Sequence, residues 1–138
     1  MMTYMTLAKR TLPIRAAAVI VGPSDLEALG RYERGFVDGD ETCDGWSKVW
    51  PDYAQHAADL YRDRSPIFWA DKLRTPILIL HSREDRLVPV EHALRMAAAL
   101  QASGKPYALH IYEHDGHSLP LNRDDRNRQI VDWFMSAR

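Results

Sequence analysis

Two uninterrupted apolar runs limit what this chain can fold into. Ala16-Ala17-Ala18-Val19-Ile20-Val21 stops at Gly22-Pro23, and Pro76-Ile77-Leu78-Ile79-Leu80-His81 leads into a polar loop. Neither run alternates apolar with polar residues, and both are far too short to cross a bilayer. Such runs, bounded by turn formers, fit strands covered on both faces, the usual setting of a parallel sheet. Parallel neighbours need crossover connections, so the segments between the strands should supply helices.

The rest of the chain agrees with that demand. Met1, Met5 and Ala8, with Met2 beside them, give residues 1–10 one apolar helical face, and no N-cap precedes it. An uncapped opening helix leads us to expect sequence upstream of it. A strand is expected over 14–21, then a polar, aromatic-rich helical excursion at about 25–64 that includes Trp46, Trp50, Tyr53 and Tyr61. Pro89 opens a helix that Gly104 closes, a third strand runs from about Tyr107 to Tyr112, and a final helix over 127–137 sets Ile130, Val131 and Phe134 on one face. The expected architecture is α/β, in three layers with a short parallel sheet. It forms one domain over 1–138, with an open sheet edge that could pair with a second copy.

Composition excludes several function classes. The 18 basic and 19 acidic side chains nearly cancel, which argues against nucleic acid and anionic membranes as partners. The single cysteine, Cys43, rules out an intrachain disulfide framework and fits a reducing, cytoplasmic compartment. The N-terminal residues do not read as a signal peptide, and no apolar stretch approaches the roughly 20 residues of a membrane span.

Two loops carry the candidate chemistry, because side chains beyond the carboxyl ends of parallel strands converge on one crevice. Asp85 follows the second strand in His81-Ser82-Arg83-Glu84-Asp85-Arg86-Leu87-Val88-Pro89. His117 follows the third in Glu113-His114-Asp115-Gly116-His117-Ser118, where Gly116 is expected to allow a tight turn. A carboxylate at Nδ1 fixes an imidazole's tautomer and leaves Nε2 to take a proton from a nucleophile. The plainer reading of Asp85 is a residue that caps a helix, and of His117 a surface residue.

The pattern Thr75-Pro76-Ile77-Leu78-Ile79-Leu80-His81-x-x-x-Asp85-x-x-Val88-Pro89 resembles the acid-bearing strand of the prolyl oligopeptidase family. Ile111-Tyr112-x-x-x-Gly116-His117 is similar to its histidine loop, and Arg64-Ser65-Pro66 and Ile130-Val131-Asp132-Trp133-Phe134 are similar to further segments. Ser82 departs from the family, which usually has glycine there. The resemblance implies the C-terminal half of an α/β-hydrolase fold. It also implies a serine hydrolase that cleaves peptide or small ester substrates through an acyl-enzyme and needs no cofactor. Asp85 then orients His117, which serves as general base and then acid. Met1-Met2-Thr3-Tyr4-Met5 is similar to the stretch just after the family's Gly-x-Ser-x-Gly-Gly elbow, so the nucleophile is expected four positions before Met1.

Internal replacements for that serine fit poorly. Gly45-Trp46-Ser47-Lys48-Val49 has no buried strand before it and has valine where the elbow needs glycine, and no base is implied beside Cys43. His114 and His117 with Asp85 or Glu84 lack the helical spacing of zinc motifs, and no metal is expected. Trp46, Trp50, Tyr53, Phe68 and Trp69 read mainly as core residues rather than pocket lining. The competing functional reading is a non-catalytic remnant or interaction module that self-associates through its open edge.

Overall fold

The computed structural model describes residues 2–9, 13–36 and 52–137. In chain order these form helix α1 (Met2–Lys9), strand β1 (Ala17–Ile20), helices α2 (Leu26–Phe36) and α3 (Tyr53–Arg64), and a 3-10 helix over Pro66–Lys72. Strand β2 (Ile77–Ser82), helix α4 (Glu91–Ala102), strand β3 (Tyr107–Tyr112) and helix α5 (Arg123–Ser136) complete the chain. The sheet is parallel throughout, in the order β1-β2-β3.

The central strand explains the apolar run. All six residues of β2 are buried, and the side chains from Ile77 to Leu80 alternate between two cores. Ile77 and Ile79 join Val19, Tyr4, Leu73, Met96 and Leu100 beneath α1, α4 and the 3-10 helix. Leu78 and Leu80 join Val21, Tyr112 and Leu119 on the other face, where Ile130 and Trp133 of α5 pack against them. The result is three layers around β2.

The outer strands are less enclosed than an unbroken apolar run suggests. Along β1, Ala17 and Val19 are buried whereas Ala18 and Ile20 are only half-buried, because α5 lies mainly over β2. Trp133 ties α5 to β1 by donating from Nε1 to the Ala17 carbonyl at 3.0 Å. Among the described residues β1 and β3 each have one neighbouring strand.

The helices differ from expectation at two places. Helix α4 ends where the sequence requires: Gly104 takes φ +63°, and the Lys105 amide reaches back to the Leu100 carbonyl at 2.9 Å. Helix α5 begins four residues earlier than the apolar pattern indicates, at Arg123, since its first turn is polar. Its apolar residues also divide. Ile130 packs on the sheet, while Val131, Phe134 and Met135 are exposed, so Ile130, Val131 and Phe134 do not form one buried face. Trp69 is core, Phe68 is exposed, and Trp46 and Trp50 lie outside the described residues, as do Cys43 and Ser47.

Candidate active site

The register of the sheet brings the two loops together. Ser82 pairs with Tyr112, so β2 and β3 release their chains at the same level, and the Arg83 amide extends the ladder to the Tyr112 carbonyl at 2.9 Å. Residues 83–90 and 113–122 therefore leave side by side. They border an open cleft of about 800 Å³ lined by both loops, including Asp85, His117, His114 and Leu121. None of the aromatic residues singled out from sequence lines it among the described residues.

Asp85 and His117 meet in the lining of this cleft. Asp85 is buried, and its Oδ2 accepts a hydrogen bond from His117 Nδ1 at 2.9 Å. Its Oδ1 accepts from the Leu87 and Val88 amides at 2.9 and 3.0 Å, folding the acid loop around the carboxylate. One oxygen thus fixes the loop and the other fixes the imidazole. Since an ionised carboxylate only accepts, Nδ1 carries the hydrogen and Nε2 is the basic nitrogen. Among the described residues His117 bonds only Asp85, and its side chain is 34% exposed.

Three more pairs link the loops beside this one. The buried Ser82 hydroxyl donates to the Asp115 carbonyl and accepts from the Glu84 amide at 3.2 Å. Arg83 forms a two-pronged pair with Glu113, at 2.6 and 3.1 Å. Glu84 accepts from His114 Nδ1 at 2.9 Å, and that bond raises the His114 pKa above the usual histidine range. His114 and His117 therefore pair with different carboxylates. Among the described residues no three His, Cys, Asp or Glu side chains are grouped to hold a metal ion.

The turn that presents His117 is not made by glycine. Gly116 lies outside the left-handed region, and a Cβ there would meet nothing within 4 Å. Ser118 and Leu119 instead take φ of 73° and 55°. Asp115 holds them in place: its buried carboxylate accepts from the amides of Gly116, Leu121 and Asn122 at 2.8, 3.2 and 2.9 Å, and from Asn122 Nδ2 at 2.9 Å. Burial pushes its pKa up, but the Asn122 side chain and these amides outweigh burial and hold it below the usual carboxylate range.

Sequence reasoning also passed over His81. It is fully buried at the end of β2, its Nε2 lies 2.8 Å from the Val88 carbonyl and 3.5 Å from Asp85 Oδ2, and burial lowers its pKa. Inside an apolar run a histidine reads simply as a strand residue. Its proximity to Asp85 needs the turn of the acid loop to become visible.

A model of the prolyl oligopeptidase family matches residues 1–137. The acylamino-acid-releasing enzyme of Sus scrofa is 30% identical over 117 residues, 85% of this chain and 15% of that protein. The uncharacterized peptidase YuxL of Bacillus subtilis (strain 168) is 38% identical over 79 residues, 52% of this chain and 12% of that protein. A solved acylaminoacyl peptidase in complex with Z-Gly-Gly-Phe-chloromethyl ketone matches with a TM-score of 0.76 at 22% identity, over 97% of this chain and 21% of that one. The chain thus spans less than a quarter of the length of each of these relatives.

Proposed function

The chain belongs to the prolyl oligopeptidase family and has an α/β-hydrolase fold, and from that footing we propose that it carries the acid and the base of a serine peptidase. The observation that carries this reading is the 2.9 Å bond between the buried Asp85 carboxylate and His117 Nδ1, at the carboxyl end of a parallel sheet and beside an open cleft. Asp85 holds the imidazole in the Nδ1–H tautomer and stabilises the imidazolium. His117 Nε2 takes the proton of a serine hydroxyl as that oxygen attacks a carbonyl carbon, then returns it to the departing amine or alcohol.

The serine is supplied by sequence beyond residues 1–138. In support, no serine or cysteine among the described residues hydrogen-bonds His117. Ser24 and Ser65 are buried in other bonds, and Ser82 is committed to Asp115. The substrates proposed are peptides and small esters, in keeping with relatives named as acylamino-acid-releasing enzymes and peptidases. In this reading residues 1–138 form one partial hydrolase domain.

The test is active-site labelling. The isolated chain should not react with a fluorophosphonate probe and should show almost no peptide or ester turnover. In this reading the oxyanion donors also come from upstream sequence, and lacking them costs by itself about 100-fold to 1000-fold. Supplying an upstream half with an elbow serine should give labelling at that serine. His117→Ala should then abolish turnover, and Asp85→Asn should reduce it about 10,000-fold through the wrong tautomer. Strong labelling of the isolated chain at Ser47, Ser82 or Ser118 would overturn this assignment.

A second reading, self-association through β1, draws on that strand having one neighbour among the described residues. A stable monomer by light scattering at high concentration would count against it.

A further inference from the structure

His81 is an unusual occupant for its position. The rest of β2 from Ile77 to Leu80 is aliphatic and buried, and an aliphatic side chain at 81 would continue the pattern. The imidazole instead brings a buried acceptor, Nδ1, with no hydrogen-bond partner. Leaving such a group unmade costs about 1–3 kcal/mol. Packing alone therefore gives no reason for a histidine here.

The reason lies at the other nitrogen. The Val88 carbonyl can only accept, so the 2.8 Å contact requires the hydrogen on His81 Nε2. Val88 is also one of the two residues whose amides bind Asp85 Oδ1, at 3.0 Å. His81 thus grips the peptide segment that grips the carboxylate. Its Nε2 lies 3.5 Å from Asp85 Oδ2, the oxygen that receives His117 Nδ1. The four residues form a chain of contacts, His81 to Val88 to Asp85 to His117.

We propose that His81 is a positioning residue for the Asp85–His117 pair: its Nε2–H fixes Val88 and thereby aims Asp85 Oδ2 at His117. The proposal rests on the preceding reading only for its consequence in catalysis, because the positioning itself is a property of the chain alone. Glutamine at 81 can extend an amide N–H to about where Nε2 stands, whereas leucine fills similar space with no donor.

The experiment follows the His117 tautomer by its ring 15N shifts in the 138-residue chain, with thermal midpoints measured alongside. Wild type and His81→Gln should show one tautomer at His117, with the hydrogen on Nδ1, and His81→Leu should lose that single form. In the complemented enzyme His81→Leu should lower kcat on the order of tenfold with KM unchanged, well short of the effect of removing the carboxylate. Should the leucine variant fail to fold, His81→Asn, whose amide falls short of Val88, gives the same contrast. An unchanged tautomer in His81→Leu or in folded His81→Asn overturns the proposal. So does an equal loss in His81→Gln, which would make volume rather than the donor decisive. Complemented enzyme that hydrolyses while the tautomer ignores His81 refutes this inference alone. A tautomer that tracks His81 without any hydrolysis refutes the functional reading alone.

Discussion

Replacing Asp115 should loosen the histidine loop by an amount that the structure lets one work out. The carboxylate is 3% exposed and accepts four hydrogen bonds, three of them from backbone amides. Asp115→Ala leaves those three amides without their acceptor, and at about 1 kcal/mol each, the low end suited to a loop that water can reach, the cost is about 3 kcal/mol. Asp115→Asn keeps one acceptor oxygen but turns an NH2 toward donors, so it should fall between wild type and alanine, at about 2 kcal/mol. For a domain whose whole stability is on the order of 5–15 kcal/mol, either loss is large. With a urea slope of about 1–3 kcal/mol/M, Asp115→Ala should lower the unfolding midpoint by roughly 1–3 M.

The same variant has a pH signature. Its folded pKa is held below the ordinary value, so the unfolded chain binds the proton more readily. The contribution is complete above the unfolded carboxylate pKa of about 4 and is lost as pH falls through the lower folded value. The midpoint gap between wild type and Asp115→Ala should therefore be full at neutral pH and close in acid. A gap smaller than about 0.3 M at neutral pH, or one that does not narrow in acid, would refute the assignment of Asp115 as the loop's anchor.

Three further outcomes are expected. Met96→Ala, in the core under β2, should cost about 2–5 kcal/mol in urea unfolding, because the side chain is fully buried and its site cannot collapse completely. Arg83→Ala should leave the urea midpoint unchanged, since the Arg83–Glu113 pair is exposed on both sides and water and salt screen it. Burial pushes the hydroxyls of Tyr4 and Tyr112 above the usual tyrosine range, so in an alkaline absorbance titration both should stay protonated after exposed tyrosines ionise. The stability they give is complete below the unfolded value of about 10 and is lost as pH rises beyond it, so their ionisation should coincide with unfolding.

The parts of the molecule legible in its sequence are those fixed by local pattern. The apolar run at 77–80 marks β2, because side-chain burial on both sides of a strand leaves a continuous apolar trace, whereas β3 at 107–112 is mostly half-buried and its sequence includes His110. The same trace overstated the burial of β1, since one strand's sequence does not reveal how far a helix overlies it. In α5 the apolar spacing located the helix but not its polar first turn or its exposed face. Nothing in Val131, Phe134 and Met135 says whether a neighbour covers them. In the site, the order of carboxylate and histidine directed attention to Asp85 and His117. The role of Ser82 depends on a contact 33 residues away, which no local window contains, whereas Asp115 and His81 act on partners within seven residues through loop turns that residue types alone do not specify.

The four links between the loops, 82 to 115, 83 to 113, 84 to 114 and 85 to 117, all fall within a single crossover from β2 through α4 to β3. Aligning a base with its acid normally demands that distant parts of a chain be brought into register, at a cost in conformational freedom. Here all four of those contacts lie inside one strand-helix-strand unit and the loops that leave it. On the proposed function, a serine nucleophile meets an imidazole that Asp85 already orients, so one approach remains to be aligned. On the proposed function, residues 77–122 carry the acid and the base together within one unit.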